Sequence, residues 1–184
     1  MKFREMHLPG VYTIALEPFT DHRGSFARTF CRKEFAEHGL ETQYVQMNHS
    51  KTQLKGTIRG MHYQRPPYTE VKLVRCIRGK VLDVIIDLRS RSATFGQYLT
   101  IELSEENELT LYIPAGFAHG FQTLTNDVEL LYQHSAYYHP EAEQGIHYAD
   151  PEFNIPWPKP MTSISKKDKF LTFIDDAFKG IDTY

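Results

Sequence analysis

Apolar and polar positions alternate with a period near two along most of this chain, the pattern of strands with one buried face. Residues 11–19 form the first such run, and a turn cluster of Thr20, Asp21, His22, Arg23 and Gly24 ends it. In residues 25–30, Phe26 and Phe30 share one face while Ala27 and Thr29 take the other. Residues 44–50 set Tyr44, Gln46 and Asn48 against Val45, Met47 and His49; a polar strand face meets either solvent or a wet cavity. The series continues through residues 56–64, 71–77, 80–88, 96–103, 108–113, 118–124 and 128–138. Arg78-Gly79 and Thr125-Asn126-Asp127 read as hairpin turns. Strands at such short, regular spacing predict a sandwich or barrel and not a parallel sheet with crossover helices.

Two stretches depart from the alternation. Residues 32–38 predict two helical turns with Phe35 inward and Gly39 as the stop. Residues 165–178 place Phe170, Phe173, Ile174 and Phe178 at helix-compatible spacing. Between the strands and this tail, Pro151, Pro156, Pro158 and Pro160 predict an extended covering segment. No internal repeat or low-complexity stretch is present.

Composition sharpens this picture in three ways. The 12 Phe and 11 Tyr suit half-buried sheet surfaces. The 184 residues give room for one domain, residues 1–184, with a real core. The 21 basic and 23 acidic residues sum to −2, which offers no basic field for nucleic acid. No apolar stretch is long enough to span a bilayer, and residues 1–9 hold no apolar core of signal-peptide length. Cys31 and Cys76 stand alone, with no paired spacing for zinc or redox work. That usage predicts a reducing, cytoplasmic location, and the charge balance and hydropathy predict no membrane or nucleic-acid partner.

Candidate chemistry gathers in two strings. One runs Gly56-Thr57-Ile58-Arg59-Gly60-Met61-His62-Tyr63-Gln64, followed by Glu70, Lys72 and Gly79; the other runs Pro114-Ala115-Gly116-Phe117-Ala118-His119-Gly120-Phe121. Together they resemble the two motifs of the cupin superfamily. The resemblance implies an all-β, cupin-type jelly-roll barrel with a few short peripheral helices. Metal-binding cupins carry His-x-His in the first motif, whereas here the second position is Gln64. His62, His119 and Glu70 are a thin ligand set, so no metal is expected.

Longer strings narrow the resemblance. Asp21-His22-Arg23-Gly24-Ser25-Phe26, Gln46-Met47-Asn48-His49-Ser50, Ile58 to Gln64 and Lys72-Leu73-Val74-Arg75 occur in that order. Ile113 to Phe121, Leu131-Tyr132, Tyr137 to Ile146, Ile155-Pro156-Trp157-Pro158 and Ser165-Lys166-Lys167-Asp168 follow. Over roughly residues 10–170 the chain resembles the dTDP-4-dehydrorhamnose 3,5-epimerase family. The resemblance implies carbon-acid chemistry on a nucleotide-linked 4-keto-6-deoxy sugar, with C3, C5 or both inverted through an enolate and no cofactor. Such chemistry needs a base on one face, an acid on the other, and a group that stabilises the enolate oxygen.

By resemblance, His62 is the base, Asp168 orients and charges it, Tyr132 is the opposing acid and Lys72 supplies positive charge near the keto oxygen. The residue types suit these roles: imidazole titrates near neutrality, and a phenol is a fitting acid for a basic enolate. For substrate binding the resemblance implies Arg23, Gln46, Asn48 and Arg59 at the diphosphate and sugar, and Phe26 and Tyr137 at the base. It adds His119, Glu143 and Lys167. Arg28 stands where the family commonly has a glutamate, and Met47 where it often has an aspartate. These two positions leave the nucleotide and the carbons inverted open. The family also implies a homodimer with exchanged N-terminal strands, so that Arg23, Phe26 and Arg28 serve the partner's site. A ketoisomerase acting on a related sugar nucleotide and a non-catalytic sugar-binding cupin are the alternatives.

Overall fold

The computed structural model describes residues 1–175 and 177–183. Strands dominate: β1 (Lys2–Glu5), β2 (Tyr12–Ala15), β3 (Phe19–Asp21), β4 (Gly24–Phe26), β5 (Gln46–Thr52), β6 (Thr57–Gln64) and β7 (Lys72–Arg78) form the first half. The second half holds β8 (Lys80–Asp87), β9 (Tyr98–Ser104), β10 (Thr110–Ile113), β11 (Phe117–Thr123), β12 (Val128–His134), β13 (Glu143–Gly145) and β14 (Ser163–Ile164). The helices α1 (Arg32–Glu37) and α2 (Lys166–Lys169) are short and peripheral. One sheet has the order β1-β2-β10-β7-β12-β5, and the other β13-β6-β11-β8-β9 with β14 parallel to β6. This is the expected all-β jelly-roll barrel. Among the described residues no helix is long and apolar enough to cross a membrane.

The two predicted hairpin turns are not hairpins. β7 lies in the first sheet and β8 in the second, and β11 and β12 are likewise split. Both turns instead carry the chain from sheet to sheet, and they dock on each other. Lys80 donates its N–H to Thr125 Oγ1 at 3.0 Å, and Leu124 N–H reaches Lys80 O at 2.8 Å. A Cβ on Gly79 would stand 2.5 Å from Thr125 Oγ1, and its φ is +72°, so glycine alone fits.

Strand-face parity explains where the polar interior arises. Val81, Asp83 and Ile85 share one face of β8; Phe117, His119 and Phe121 one face of β11; Leu130, Tyr132 and His134 one face of β12. Val74 and Cys76 point with Lys72 from β7. The apolar members of these sets belong to one buried cluster between the sheets. Polar groups are therefore set among hydrocarbon inside the barrel: Asp83 lies between Val81 and Ile85 and His119 between Phe117 and Phe121, while Lys72 and His134 end their strands.

Several strand bounds differ from the sequence expectation. Residues 11–19 break at 16–18, where Pro18 has no N–H to continue a ladder. The run 25–30 stops at Phe26, because Phe30 turns into an aromatic cluster with Phe35 (4.7 Å between ring centroids) and Tyr44 (5.4 Å). β12 ends at His134, where its neighbours also end: His134 pairs with Gln46 and with Lys72. Residues 2–5 gain a strand by pairing with β2 inside the same chain. The helix expected over 165–178 shrinks to Lys166–Lys169; beyond it, Ile174 N–H bonds Asp150 Oδ2 at 2.6 Å instead of a helical carbonyl. Residue 176 of that stretch lies outside the described residues.

Candidate active site

The barrel holds a cavity of about 600 Å³, a size suited to a small organic ligand. Its walls come from both sheets, with Asn48, Arg59, His62, Lys72, His119, Tyr132, Glu143, Lys167 and Asp168 among the lining residues.

His62 and Asp168 meet there although they come from opposite ends of the chain. β14 adds in parallel beside Thr57 and Ile58 of β6, and the next residue, Ser165, caps α2. Ser165 Oγ accepts the Asp168 N–H at 3.0 Å, so the first turn of α2 delivers the carboxylate onto β6. Asp168 Oδ1 lies 2.7 Å from His62 Nε2, and Oδ2 accepts the Gly60 N–H at 3.1 Å. Burial would raise the Asp168 carboxyl, but the His62 hydrogen bond and charge, the Gly60 amide and the Ser165 hydroxyl together hold it below the ordinary range. An ionised Asp168 fixes the proton on His62 Nε2 and leaves the Nδ1 lone pair as the basic position of the ring. The His62 side chain is 30% exposed, which keeps it open to a ligand.

Two glycines let this strand pass close to its neighbour. His62 pairs with His119 across β6 and β11, and the register slips between His119 and Phe121. A Cβ on Gly60 would lie 2.5 Å from Gly120 Cα, and one on Gly120 would lie 2.5 Å from Met61 Sδ and 2.7 Å from Arg59 O. Neither position has room for a side chain.

His119 is buried, and its Nε2 sits 3.0 Å and 2.9 Å from the two oxygens of Asp83. Asp83 is fully buried; desolvation pushes its carboxyl upward, opposed by His119. The Tyr132 ring stands edge-on to His119, centroids 6.0 Å apart, and nearly parallel to His134 at the same separation. Burial pushes the Tyr132 phenol well up, aided by the Asp83 charge and opposed by Arg59. The phenol thus keeps its proton, and its hydroxyl makes no hydrogen bond among the described residues. Lys72 is buried at the cavity wall, its Nζ 3.2 Å from Glu70 Oε1. Glu143 pairs with Lys167 across the opening. Arg59 has no carboxylate partner among the described residues and donates to Lys51 O at 3.1 Å.

Not every residue singled out from the sequence joins this cavity. Arg23, Phe26 and Arg28 do not line it: β3 and β4 pair only with each other, Phe26 is 80% exposed, Arg23 is engaged by Asp21 and Arg28 by Glu34. Gln46 lies just outside, bonded to the lining Asn48 at 3.3 Å. Tyr137 is exposed, and its neighbour Tyr138 lines the cavity instead. Gln64, which stands at the second histidine position of the metal cupins, is a loop clamp. It donates to Tyr68 O (3.0 Å) and Tyr137 O (3.2 Å) and accepts the His139 N–H at 2.7 Å. The remaining members of the thin ligand set have other partners: Asp168 on His62, Asp83 on His119, and Lys72 with His134 on Glu70. Sequence reasoning missed Asp83, His134 and Tyr138. The parity of Val81-Asp83-Ile85 and Leu130-Tyr132-His134 was the available signal for the first two.

The arrangement can move protons: a carboxylate-paired imidazole, a protonated phenol and an ammonium group share one enclosed space. Comparison with known proteins points the same way. The family model for dTDP-4-dehydrorhamnose 3,5-epimerase matches residues 5–176. The dTDP-4-dehydrorhamnose 3,5-epimerase of Shigella flexneri is 42% identical over 169 residues, covering 91% of this chain and 93% of that protein. The crystal structure of the enzyme of the same name from Elizabethkingia anophelis superimposes with a TM-score of 0.92 at 37% identity, covering 97% of this chain and 98% of that one. A dTDP-6-deoxy-D-glucose-3,5-epimerase from Legionella pneumophila, in complex with dTDP-4-keto-L-rhamnose, gives 0.91 at 37% identity, covering 100% and 98%.

Proposed function

The chain belongs to the dTDP-4-dehydrorhamnose 3,5-epimerase family, and on that premise we propose that it epimerises dTDP-4-keto-6-deoxyglucose to dTDP-4-keto-L-rhamnose with the residues of this cavity. The observation that carries the reading is the His62–Asp168 pair opening onto a cavity that also holds Tyr132 and Lys72.

His62 Nδ1 takes the proton from the carbon next to the C4 ketone. The C–H electron pair moves into the ring and charge develops on the C4 oxygen, where the Lys72 ammonium stabilises it; such preorganised charge is usually the largest contribution to catalysis. Tyr132 returns a proton to the opposite face of the same carbon, which inverts it. The imidazolium then loses its proton to solvent and the phenolate regains one, so each inversion introduces one solvent hydrogen. Asp168 stabilises the imidazolium while it exists, as a buried carboxylate does in a catalytic triad.

The nucleotide end needs cationic donors. Arg59, free of carboxylates among the described residues, suits a phosphate oxygen, with Asn48 and Lys167 beside it in the cavity wall. For the base, Tyr138 stands in the cavity wall, and the family resemblance adds Phe26, which this chain's own cavity does not contain. A homodimer accounts for it. β1 and β2 are paired within their own sheet, so the segment free to cross is the β3–β4 hairpin with Arg23, Phe26 and Arg28. Phe19, Phe26 and Met47 are each more than two-thirds exposed in the single chain, which supports a partner surface.

Incubation with dTDP-4-keto-6-deoxyglucose in deuterium oxide tests the reading. Deuterium entering both C3 and C5 is the expected result, entry at one carbon marks a mono-epimerase, and binding without exchange overturns the assignment.

A further inference from the structure

Glu70 takes no part in these proton transfers, yet it joins two walls of the cavity. Its Oε1 lies 3.2 Å from Lys72 Nζ and its Oε2 lies 2.7 Å from His134 Nδ1. The side chains of all three are close to one-tenth exposed, at 10% for Glu70 and Lys72 and 11% for His134. The chain of contacts continues. His134 Nε2 is 3.3 Å from Asn48 Nδ2, Asn48 Oδ1 accepts from Gln46 Nε2 at 3.3 Å, and Gln46 Oε1 accepts the Tyr138 N–H at 3.1 Å.

Donor and acceptor chemistry gives this chain one direction. An ammonium and an amide nitrogen only donate, and a carboxylate only accepts. His134 must therefore carry its proton on Nδ1, toward Glu70, and offer Nε2 to Asn48. Burial would raise the Glu70 carboxyl, but the His134 hydrogen bond and the Lys72 charge hold it below its ordinary range, so it is ionised and can serve both neighbours. A lysine stem is flexible, and a stabiliser of transient charge works only if it is in place before the charge appears. The carboxylate at 3.2 Å supplies that placement.

We propose that Glu70 is a positioning residue for epimerisation: one oxygen holds the Lys72 ammonium for the enolate, and the other, through the Nδ1–H form of His134, aims Asn48 at the substrate. The inference rests on the epimerase reading above. It assigns a job to Glu70 and His134, neither of which touches the reacting carbons in that reading.

Glu70→Gln is the discriminating variant. It preserves size, but one accepting oxygen becomes an NH2 donor, so the side chain can no longer accept from Lys72 on one terminal atom and from His134 on the other, and it loses the charge that faces the ammonium. Expected is a kcat lowered by about 10- to 100-fold, the scale of a misplaced catalytic group. His134→Ala, which leaves the Glu70–Lys72 pair in place, is expected to act on KM more than on kcat. Nitrogen-15 NMR of the wild-type protein at mildly alkaline pH, with His134 assigned by its loss in His134→Ala, should show the Nδ1–H tautomer. A variant serves only for the assignment; the tautomer itself is read on the wild-type protein, with Glu70 intact. An Nε2–H tautomer overturns the proposal, as does Glu70→Gln with kcat per folded molecule within about twofold of wild type, whatever its melting temperature. Deuterium exchange by the wild-type protein separates the two levels. Its absence sinks the epimerase reading, whereas normal exchange beside an unaffected Glu70→Gln sinks only the role of Glu70.

Discussion

His62 Nε2 lies 2.7 Å from Asp168 Oδ1, although the two residues are 106 positions apart. One short strand, β14, and one capped turn, α2, span that separation by anchoring the tail to the strand that carries the histidine. The proposed base is thus completed by elements that come late in the chain. His62→Ala should lower kcat by about 10²-fold or more, the loss expected for a general base, with dTDP affinity retained. Asp168→Asn should lower kcat substantially while His62 stays in place. Steady-state kinetics alongside calorimetric titration of dTDP checks both, and full turnover in His62→Ala would remove it from its role.

Stability should follow pH through the same pair. Asp168 is held below its ordinary range in the fold, so near that pH the unfolded chain binds more protons than the folded one. Its stabilisation is present above the unfolded value of about 3.9 and is lost as pH falls through the depressed folded value. The melting-temperature gap between wild type and Asp168→Asn should therefore be full at neutral pH and close below about pH 4. A gap that stays constant into the acid range contradicts this account.

Tyr132→Phe separates abstraction from inversion. The phenylalanine keeps the packing against the core but has no proton to give. His62 can still remove a proton and return it to the same face. The variant should then incorporate solvent deuterium faster than it inverts configuration, with overall turnover down by about 10²-fold. NMR of the sugar protons reads both rates, and equal rates would place the acid elsewhere.

Gly120→Ala tests the close approach of the two strands at the site. The new Cβ would meet Met61 Sδ at 2.5 Å and Arg59 O at 2.7 Å. The backbone carbonyl cannot yield without moving β6, so a destabilisation of about 1–3 kcal/mol, typical of overpacking, is expected together with lost activity. Chemical denaturation measures the first. A variant as stable as wild type would mean that the strands separate freely.

The β3–β4 hairpin offers a test of assembly. Phe26→Ala should leave the melting temperature nearly unchanged, since the ring is 80% exposed in the single chain, while weakening dTDP binding through the partner's cavity. Mixing Phe26→Ala with His62→Ala chains should then restore part of the activity, because one of the two mixed sites is intact. Failure of complementation in a verified mixed dimer would refute the exchange.

By itself the sequence determined the strand-rich fold and, through its resemblance to a family, marked His62, Lys72, Tyr132 and Asp168 as candidate site residues. Period-two alternation is a local consequence of strand geometry, and the motif strings carry those residues in order. It also held Asp83 and His134, on the same strand faces as Val81 and Leu130. Only the tertiary structure decided that the turns at Gly79 and Asn126 join different sheets, since a turn sequence does not specify which strand its successor pairs with. It alone showed Asp83 under His119 and Glu70 between Lys72 and His134, and it gave the Asp168–His62 pairing, which the resemblance implied, its 2.7 Å contact. Side-chain pairing across a barrel depends on register and sheet order, which are long-range properties of the closed fold and leave no periodic trace along the chain.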